Sequence, residues 1–207
     1  MEILLLRHGM TKGNQEKKYI GITDEGLLAQ EKDRLLEKSR GGCYPKADMV
    51  FISPMRRCME TAELLYPALE KHFVESFVEC DFGLFEGKNY EQLKEEAVYQ
   101  KWLLSNGTMD FPKGEGISHF KSRCVSGFFE MLSKVQGEMK EERKEGIREE
   151  IREETTVACI VHGGTIMSIL EALAVPKKSY FDYQVKNGEG YLCTWKEEKL
   201  WIGQYVS

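Results

Sequence analysis

Two of the four histidines in this 207-residue chain stand in the same kind of place. Arg7-His8-Gly9 follows the apolar run Ile3-Leu4-Leu5-Leu6, and His162-Gly163-Gly164 follows the run from Thr156 to Val161. A third segment, Ser53-Pro54-Met55-Arg56-Arg57, follows a run that ends at Ile52. Short apolar runs of this length read as β-strands, which puts two imidazoles and the guanidiniums of Arg7 and Arg57 just past strand ends. In an open α/β sheet the ligand crevice lies outside the carboxyl ends of the strands. Pro54 is placed to open a helix with Arg57 in its first turn, and the free N–H groups at the start of a helix after His162 form a ready anion site. Each piece alone is weak, since a lone arginine is usually a surface charge and Gly163-Gly164 can be a plain turn. Three strand exits supplying cations and donors together point to one bound anion. His72 and His119 have no such setting and read as structural or exposed.

The elements that must position these groups follow from periodicity. Strands are expected at Glu2 to Leu6, Asp48 to Ile52, Phe73 to Val78 and Thr156 to Val161, with helices at about 26–40, 55–70, 90–104, 117–136 and 165–174. That alternation predicts an α/β fold with a mostly parallel central sheet, followed by a hairpin of Tyr191 to Trp195 and Leu200 to Tyr205. Ser105 to Gly116, with Gly107, Pro112, Gly114 and Gly116, reads as a loop able to lie over a site. Glu138 to Glu154 holds eight Glu and five Lys or Arg, with Ile147 and Ile151 four apart, and reads as a solvated, charged helix without chemistry.

Composition narrows the function. Twenty-nine Lys plus Arg against 34 Asp plus Glu give a net charge of -5, so no global basic field draws in nucleic acid or anionic membranes. The six cysteines form no Cys-x-x-Cys pair and read as reduced thiols. No basic, apolar leader opens the chain and no apolar run approaches the ~20 residues of a membrane span, so a cytoplasmic protein is expected. No metal or cofactor is called for, and the oligomeric state stays open.

At this point the residues resemble the histidine phosphatase superfamily, also called phosphoglycerate mutase-like. Arg7-His8-Gly9-Met10-Thr11-Lys12-Gly13-Asn14 looks like its Arg-His-Gly-x-Thr-x-x-Asn signature, and Ser53 to Ala62 is similar to its Ser-x-Leu-x-Arg-Ala-x-x-Thr-Ala segment. Glu79-Cys80-Asp81-Phe82-Gly83-Leu84-Phe85-Glu86-Gly87 matches the segment that bears the acid, and His162-Gly163-Gly164 the second histidine. Where many members carry Pro, Thr and Gly after Asp24, this chain has Gly26, Leu28 and Glu31. The resemblance implies a single-domain, three-layer α/β/α fold over residues 1–207, with a cover at about 84–122 and the charged stretch at 138–154 as an elaboration. The chemistry it implies agrees with the residue types. Imidazole attacks phosphorus well, so His8 is the expected nucleophile, and a phosphohistidine splits one displacement into two. Arg7, Arg57 and His162 would hold the phosphoryl oxygens. Glu79 would protonate the leaving alkoxide and then activate water, with Glu86 and then Asp81 as alternatives. Asn14, Thr11, Gly163 and the backbone around Gly21 would contact phosphate or cover the site.

A phosphoglycerate mutase must also grip a second anionic group, yet no Arg lies between Arg57 and Arg123, leaving Lys88, Lys94, Lys101, Lys113 and Lys121 as point charges. The expected cover is instead aromatic: Phe82, Phe85, Tyr90, Tyr99, Trp102 and Phe111. A phosphatase acting on a small-molecule phosphomonoester is favoured over a mutase. Tyr19 to Asp24, Phe82 to Gly87 and Pro112 to Glu115 look like the branch that contains α-ribazole phosphatases of cobalamin synthesis. An inactive relative that binds phosphorylated ligands or a partner protein is the reading from another class, against which stand His8, Arg7, Arg57, Glu79 and His162, all present.

Overall fold

The three strands that carry the anion-binding segments are short and apolar on both faces, as strands must be when helices cover both sides of a sheet. The computed structural model describes residues 1–144 and 155–207. Strand β1 (Glu2–Arg7) pairs in parallel with β4 (Thr156–Val161), β4 with β2 (Met49–Ile52), and β2 with β3 (Lys71–Phe73). On the other side β1 meets β6 (Gly190–Lys196) antiparallel, β6 meets β7 (Lys199–Val206), and β5 (Ala174–Val175) closes that edge. The strand order is therefore β3-β2-β4-β1-β6-β7-β5.

Alternation along the strands divides the core in two. Ile3, Leu5, Phe51, Val157, Cys159 and Val161 face a layer that includes helices α6 (Ile117–Lys144) and α7 (Gly163–Leu173). Leu4, Leu6, Val50, Ile52, Ala158 and Ile160 face α2 (Ala29–Arg40) and α3 (Arg56–Leu65). The result is the three-layer α/β/α sandwich, with a mostly parallel sheet between the helical layers.

The remaining helices are short: α1 (Lys12–Gln15), α4 (Tyr90–Leu93) and α5 (Ala97–Leu104). The expected strand from Phe73 to Val78 is instead the end of β3 followed by a 3-10 turn, Glu75–Phe77. Val74 and Phe77, three apart, both pack into the same core layer, which a turn allows and a strand, with successive side chains on opposite faces, would not. The expected helix at 90–104 breaks into α4 and α5. Leu93 and Tyr99 are both buried, and a continuous helix would set them about 120° apart around its axis. Helix α3 stops at Leu65 because Pro67 keeps Tyr66 out of helical backbone, at φ -134 and ψ 55. Helix α6 runs on to Lys144, so the charged stretch at 138–154 begins as its continuation, and 145–154 lies outside the described residues. His72 stacks on Phe51 at 4.9 Å, and His119 pairs with Glu115 at the surface.

Strands β1 and β6 approach closely at one glycine, because a Cβ on Gly190 would lie 2.0 Å from the carbonyl oxygen of Leu5. Gly190→Ala is expected to lower unfolding free energy by about 1–3 kcal/mol, the range for forced overpacking, read by urea denaturation. A change under about 0.5 kcal/mol would contradict this packing.

Candidate active site

His8 leaves β1 with its ring buried and its Nδ1 2.7 Å from the carbonyl oxygen of Gly9. A carbonyl only accepts, so Nδ1 carries the proton and the Nε2 lone pair is free. Burial, then the charges of Arg57 and Arg7, hold its pKa well below 6.5. The ring is thus neutral near pH 7, the nucleophilic form. Asn187, just before β6, donates to the carbonyl oxygen of His8 at 3.2 Å and to Oδ1 of Asn14 at 2.9 Å. With its oxygen taken, the Asn14 amide has its N–H groups left to offer.

His162 caps α7 at the end of β4, and its ring centroid lies 5.2 Å from that of His8. Its Nδ1 accepts from Arg57 Nε at 3.2 Å, so the proton sits on Nε2, which donates to Ser53 Oγ at 2.8 Å. Burial and Arg57 keep this ring neutral too. Both ring nitrogens are engaged, and the ring orients Arg57. Arg57 itself, 1% exposed, donates Nη1 to the carbonyl of Thr23 and Nη2 to that of Gly21, each at 2.8 Å. Three of the five guanidinium N–H groups are used and two remain for an anion. Arg7 donates Nη1 to the carbonyl of Val185, while its buried Nε has no partner. The group lies against the first turn of α7, where a Cβ on Gly163 would sit 3.6 Å from Arg7 Cζ. An orphaned guanidinium N–H beside open helix N–H groups is what an anion would satisfy.

Glu79 follows the 3-10 turn after β3 and accepts from Cys80 N at 3.0 Å and Gly164 N at 3.2 Å. Burial outweighs these bonds and the two arginines and raises its pKa above 4.5, so it holds a proton longer than an ordinary carboxyl group. Gly164 is required at this approach: a Cβ there would lie 2.5 Å from Glu79 Oε1 and 2.9 Å from Phe120 Cζ.

A cavity of about 690 Å³ opens on this cluster, reached directly by Arg7, Asn14, Glu79 and Gly163, with His8, Arg57 and His162 buried behind them. Thr11 and Gly21 are not among its walls. Thr11 is buried as the cap of α1, its hydroxyl donating to Glu25, and Gly21 is locked between Glu86 and Arg57. Of the expected aromatic cover, Phe82, Trp102 and Phe111 line the cavity. Phe85 and Tyr99 belong to the core beneath it, and Tyr90 is 53% exposed outside it. The loop 105–116 does reach the cavity, through Asn106, Gly107, Thr108 and Phe111. Phe120 and Lys121, within the expected cover at about 84–122, also line the cavity, while Ser179 to Phe181 escaped the sequence reading; the local signal there was the Ser179/Asp182 capping box of a 3-10 turn. Beyond Arg7, the cavity's cations are Lys18, paired with Glu16, and Lys121, paired with Glu171 at 2.6 Å and 4.2 Å over the Tyr180 ring. Lys88, Lys94, Lys101 and Lys113 do not reach it. Among the described residues no group of three or more His, Cys, Asp or Glu is arranged to hold a metal ion, and no helix is long and apolar enough to cross a membrane.

Two imidazoles neutral in the fold but protonated in the unfolded chain tie stability to pH. A depressed folded-state pKa means stability is full above the unfolded value of 6.5 and is lost as pH falls toward the folded one. The raised pKa of Glu79 acts in the opposite sense, so the comparison is made against a variant. Between roughly pH 7.5 and 5.5, wild type should lose more unfolding free energy than His8→Gln, measured by urea titration. Parallel pH profiles would contradict a neutral His8.

The sequence pattern of the histidine phosphatase superfamily (branch 1) matches residues 3–206. The probable phosphoglycerate mutase GpmB of Salmonella paratyphi C (strain RKS4594) is 26% identical over 141 residues, 66% of this chain and 66% of that protein. The match thus spans just under two thirds of that relative's length. The alpha-ribazole phosphatase from Shigella flexneri superposes with a TM-score of 0.78 at 21% identity, covering 100% of this chain and 96% of that one, a likeness of fold. A phosphoglycerate mutase from Thermus thermophilus superposes with a TM-score of 0.69 at 25% identity, covering 100% and 99%. The pattern runs from β1 into β7 across every segment that frames the anion site, and the chain belongs to the histidine phosphatase superfamily, branch 1.

Proposed function

We propose that this protein is a phosphomonoesterase that works through a phosphohistidine on His8 and acts on a small metabolite with an aromatic, uncharged body, α-ribazole 5'-phosphate being the first candidate. The observation that carries the reading is the His8 ring: neutral, proton on Nδ1, its Nε2 lone pair free beside two arginines. Nε2 attacks phosphorus while Arg7, the free N–H groups of Arg57 and the start of α7 take the charge on the phosphoryl oxygens. The bond to the ester oxygen breaks as Glu79 gives that oxygen its proton. Water then attacks the phosphohistidine, returns a proton to Glu79 and frees His8 and phosphate. The arginines and the helix start supply the positive charge, so the reaction is proposed to need no metal. A cytoplasmic setting agrees with cysteines that are all unpaired.

The mutase reading has the name of the Salmonella relative and the Thermus structure in its favour. Against it, Lys18 and Lys121 each face a carboxylate already, so no lysine in the cavity offers an unpaired charge to a second anionic group. Aromatic walls suit a flat, neutral body better.

Enzyme mixed with substrate and quenched in alkaline detergent should carry a base-stable, acid-labile phosphoryl group, absent in His8→Ala. Phosphate release should be fastest for α-ribazole 5'-phosphate in a panel with 3-phosphoglycerate, sugar phosphates and nucleoside monophosphates. Turnover at the wild-type rate in His8→Ala would end the nucleophile assignment, and isomerisation of 3-phosphoglycerate outpacing its hydrolysis would favour the mutase.

The acid role has its own test. In Glu79→Gln, phosphorylation of His8 by an alkyl phosphate should slow by roughly two to four orders of magnitude. p-Nitrophenyl phosphate, whose phenolate leaves unaided, should lose far less in the same rapid-quench step. Equal losses for both esters would remove Glu79 from that role.

A further inference from the structure

Sequence alone leaves Glu86 as an alternative acid, but its carboxylate is turned to other work. Oε1 accepts from the backbone N–H of Gly21 at 2.9 Å, the backbone N–H of Thr23 at 3.0 Å and the hydroxyl of Thr23 at 2.7 Å. Oε2 shares the Gly21 N–H at 3.1 Å. These bonds gather the N–H groups of the 21–23 turn on one side. The carbonyls of the same two residues each accept an Arg57 N–H at 2.8 Å. A single carboxylate thus fixes the two carbonyls that hold the guanidinium. The turn has little room to find another path, since a Cβ on Gly21 would lie 1.8 Å from the carbonyl oxygen of Cys80. Its other tether is Asp24, which accepts from Arg56 N at 2.7 Å at the start of α3.

We propose that Glu86 is a positioning residue: through the Gly21–Thr23 turn it sets Arg57 so that its two spare N–H groups meet the phosphoryl oxygens. The proposal rests on the phosphomonoesterase reading, in which Arg57 binds phosphate. Arginine geometry is the reason such a device is needed. A guanidinium recognises phosphate as a fork, and a fork displaced or rotated by a fraction of an ångström loses one prong. His162 holds Nε and leaves rotation about that contact; the two carbonyls remove it.

The atom-level pattern separates positioning from acid catalysis. Glu86→Gln can keep every bond made by Oε1 and loses only the shared contact of Oε2 and the charge. Glu86→Ala loses all of them. Inorganic phosphate binding, followed by calorimetry, and kcat/KM with p-nitrophenyl and alkyl phosphates are measured on both. Glu86→Ala should bind phosphate about tenfold or more weakly, with kcat/KM falling by the same factor for both esters, whereas Glu86→Gln stays within about threefold of wild type. In an Arg57→Lys background, where no fork remains to be aimed, Glu86→Ala should add less than about threefold. Thr23→Val, which deletes only the hydroxyl bond, should shift phosphate binding in the same direction by a smaller factor and covers the case in which Glu86→Ala does not fold. Loss in Glu86→Gln as deep as in Glu86→Ala, and deeper for the alkyl ester, would mean acid catalysis and overturn the proposal. Unchanged phosphate binding in Glu86→Ala, or in Thr23→Val should the former not fold, would also overturn it. Wild type that binds no phosphate would overturn the functional reading together with the proposal, which tells the two failures apart.

Discussion

Two guanidiniums, Arg57 buried and Arg7 half-buried at the cavity wall, are held by carbonyl oxygens rather than by carboxylates. Arg7 donates a hydrogen bond to the carbonyl of Val185, and Arg57 donates to those of Gly21 and Thr23 and to the His162 ring. A carbonyl satisfies a donor without cancelling its charge. Carboxylate partners would have fixed the arginines equally well and left a neutral site with nothing to offer a dianion. The one carboxylate at hand, Glu79, is pushed by burial toward its protonated form. The positive field is therefore preserved for the ligand, and it adds to burial, the larger cause, in keeping both imidazoles from taking up a proton.

Much of the architecture follows from having to assemble such a site. The parallel strands deliver His8, Arg57 and His162 to one sheet edge, and the opening turn of α7 adds backbone N–H groups whose partial charge needs no counterion. Packing has to be unusually close there, which is where Gly164 and Gly21 stand. Glu31, a departure from the pattern that the family resemblance implies, is buried against Gly9 and accepts a two-pronged bond from Arg34, which donates a third to the carbonyl of Asn187. That departure is absorbed as a brace behind the nucleophile.

What could be read in the sequence was whatever depends on neighbours along the chain. Strand exits at His8, Arg57 and His162 are local events, marked by an apolar run and then glycine or proline, and the structure brings those three together. Roles that depend on distant partners were hidden. Thr11 and Gly21 sit in the right segments, but only the fold reveals that Thr11 is spent on a cap and Gly21 on a contact with Cys80. Leu93 and Tyr99 broke the expected helix because both had to be buried, a demand set by the core and not by local propensity. Asn187 carried an Asn-Gly turn signal with Gly188, which gave no hint that its amide reaches back across 179 positions to His8.

That last contact has a consequence for folding. Arg7 waits for Val185 and His8 for Asn187, partners that lie 178 and 179 positions later in the chain. Closing so long a loop is among the last ordering events of a chain, because its entropy is recovered only once the intervening sheet is in place. A chain lacking β6 carries every charged group of the anion site without the frame that aims them. Order at Arg7 and His8 is thereby tied to the far end of the sheet: these two side chains gain their fixed geometry only once the chain has closed on itself.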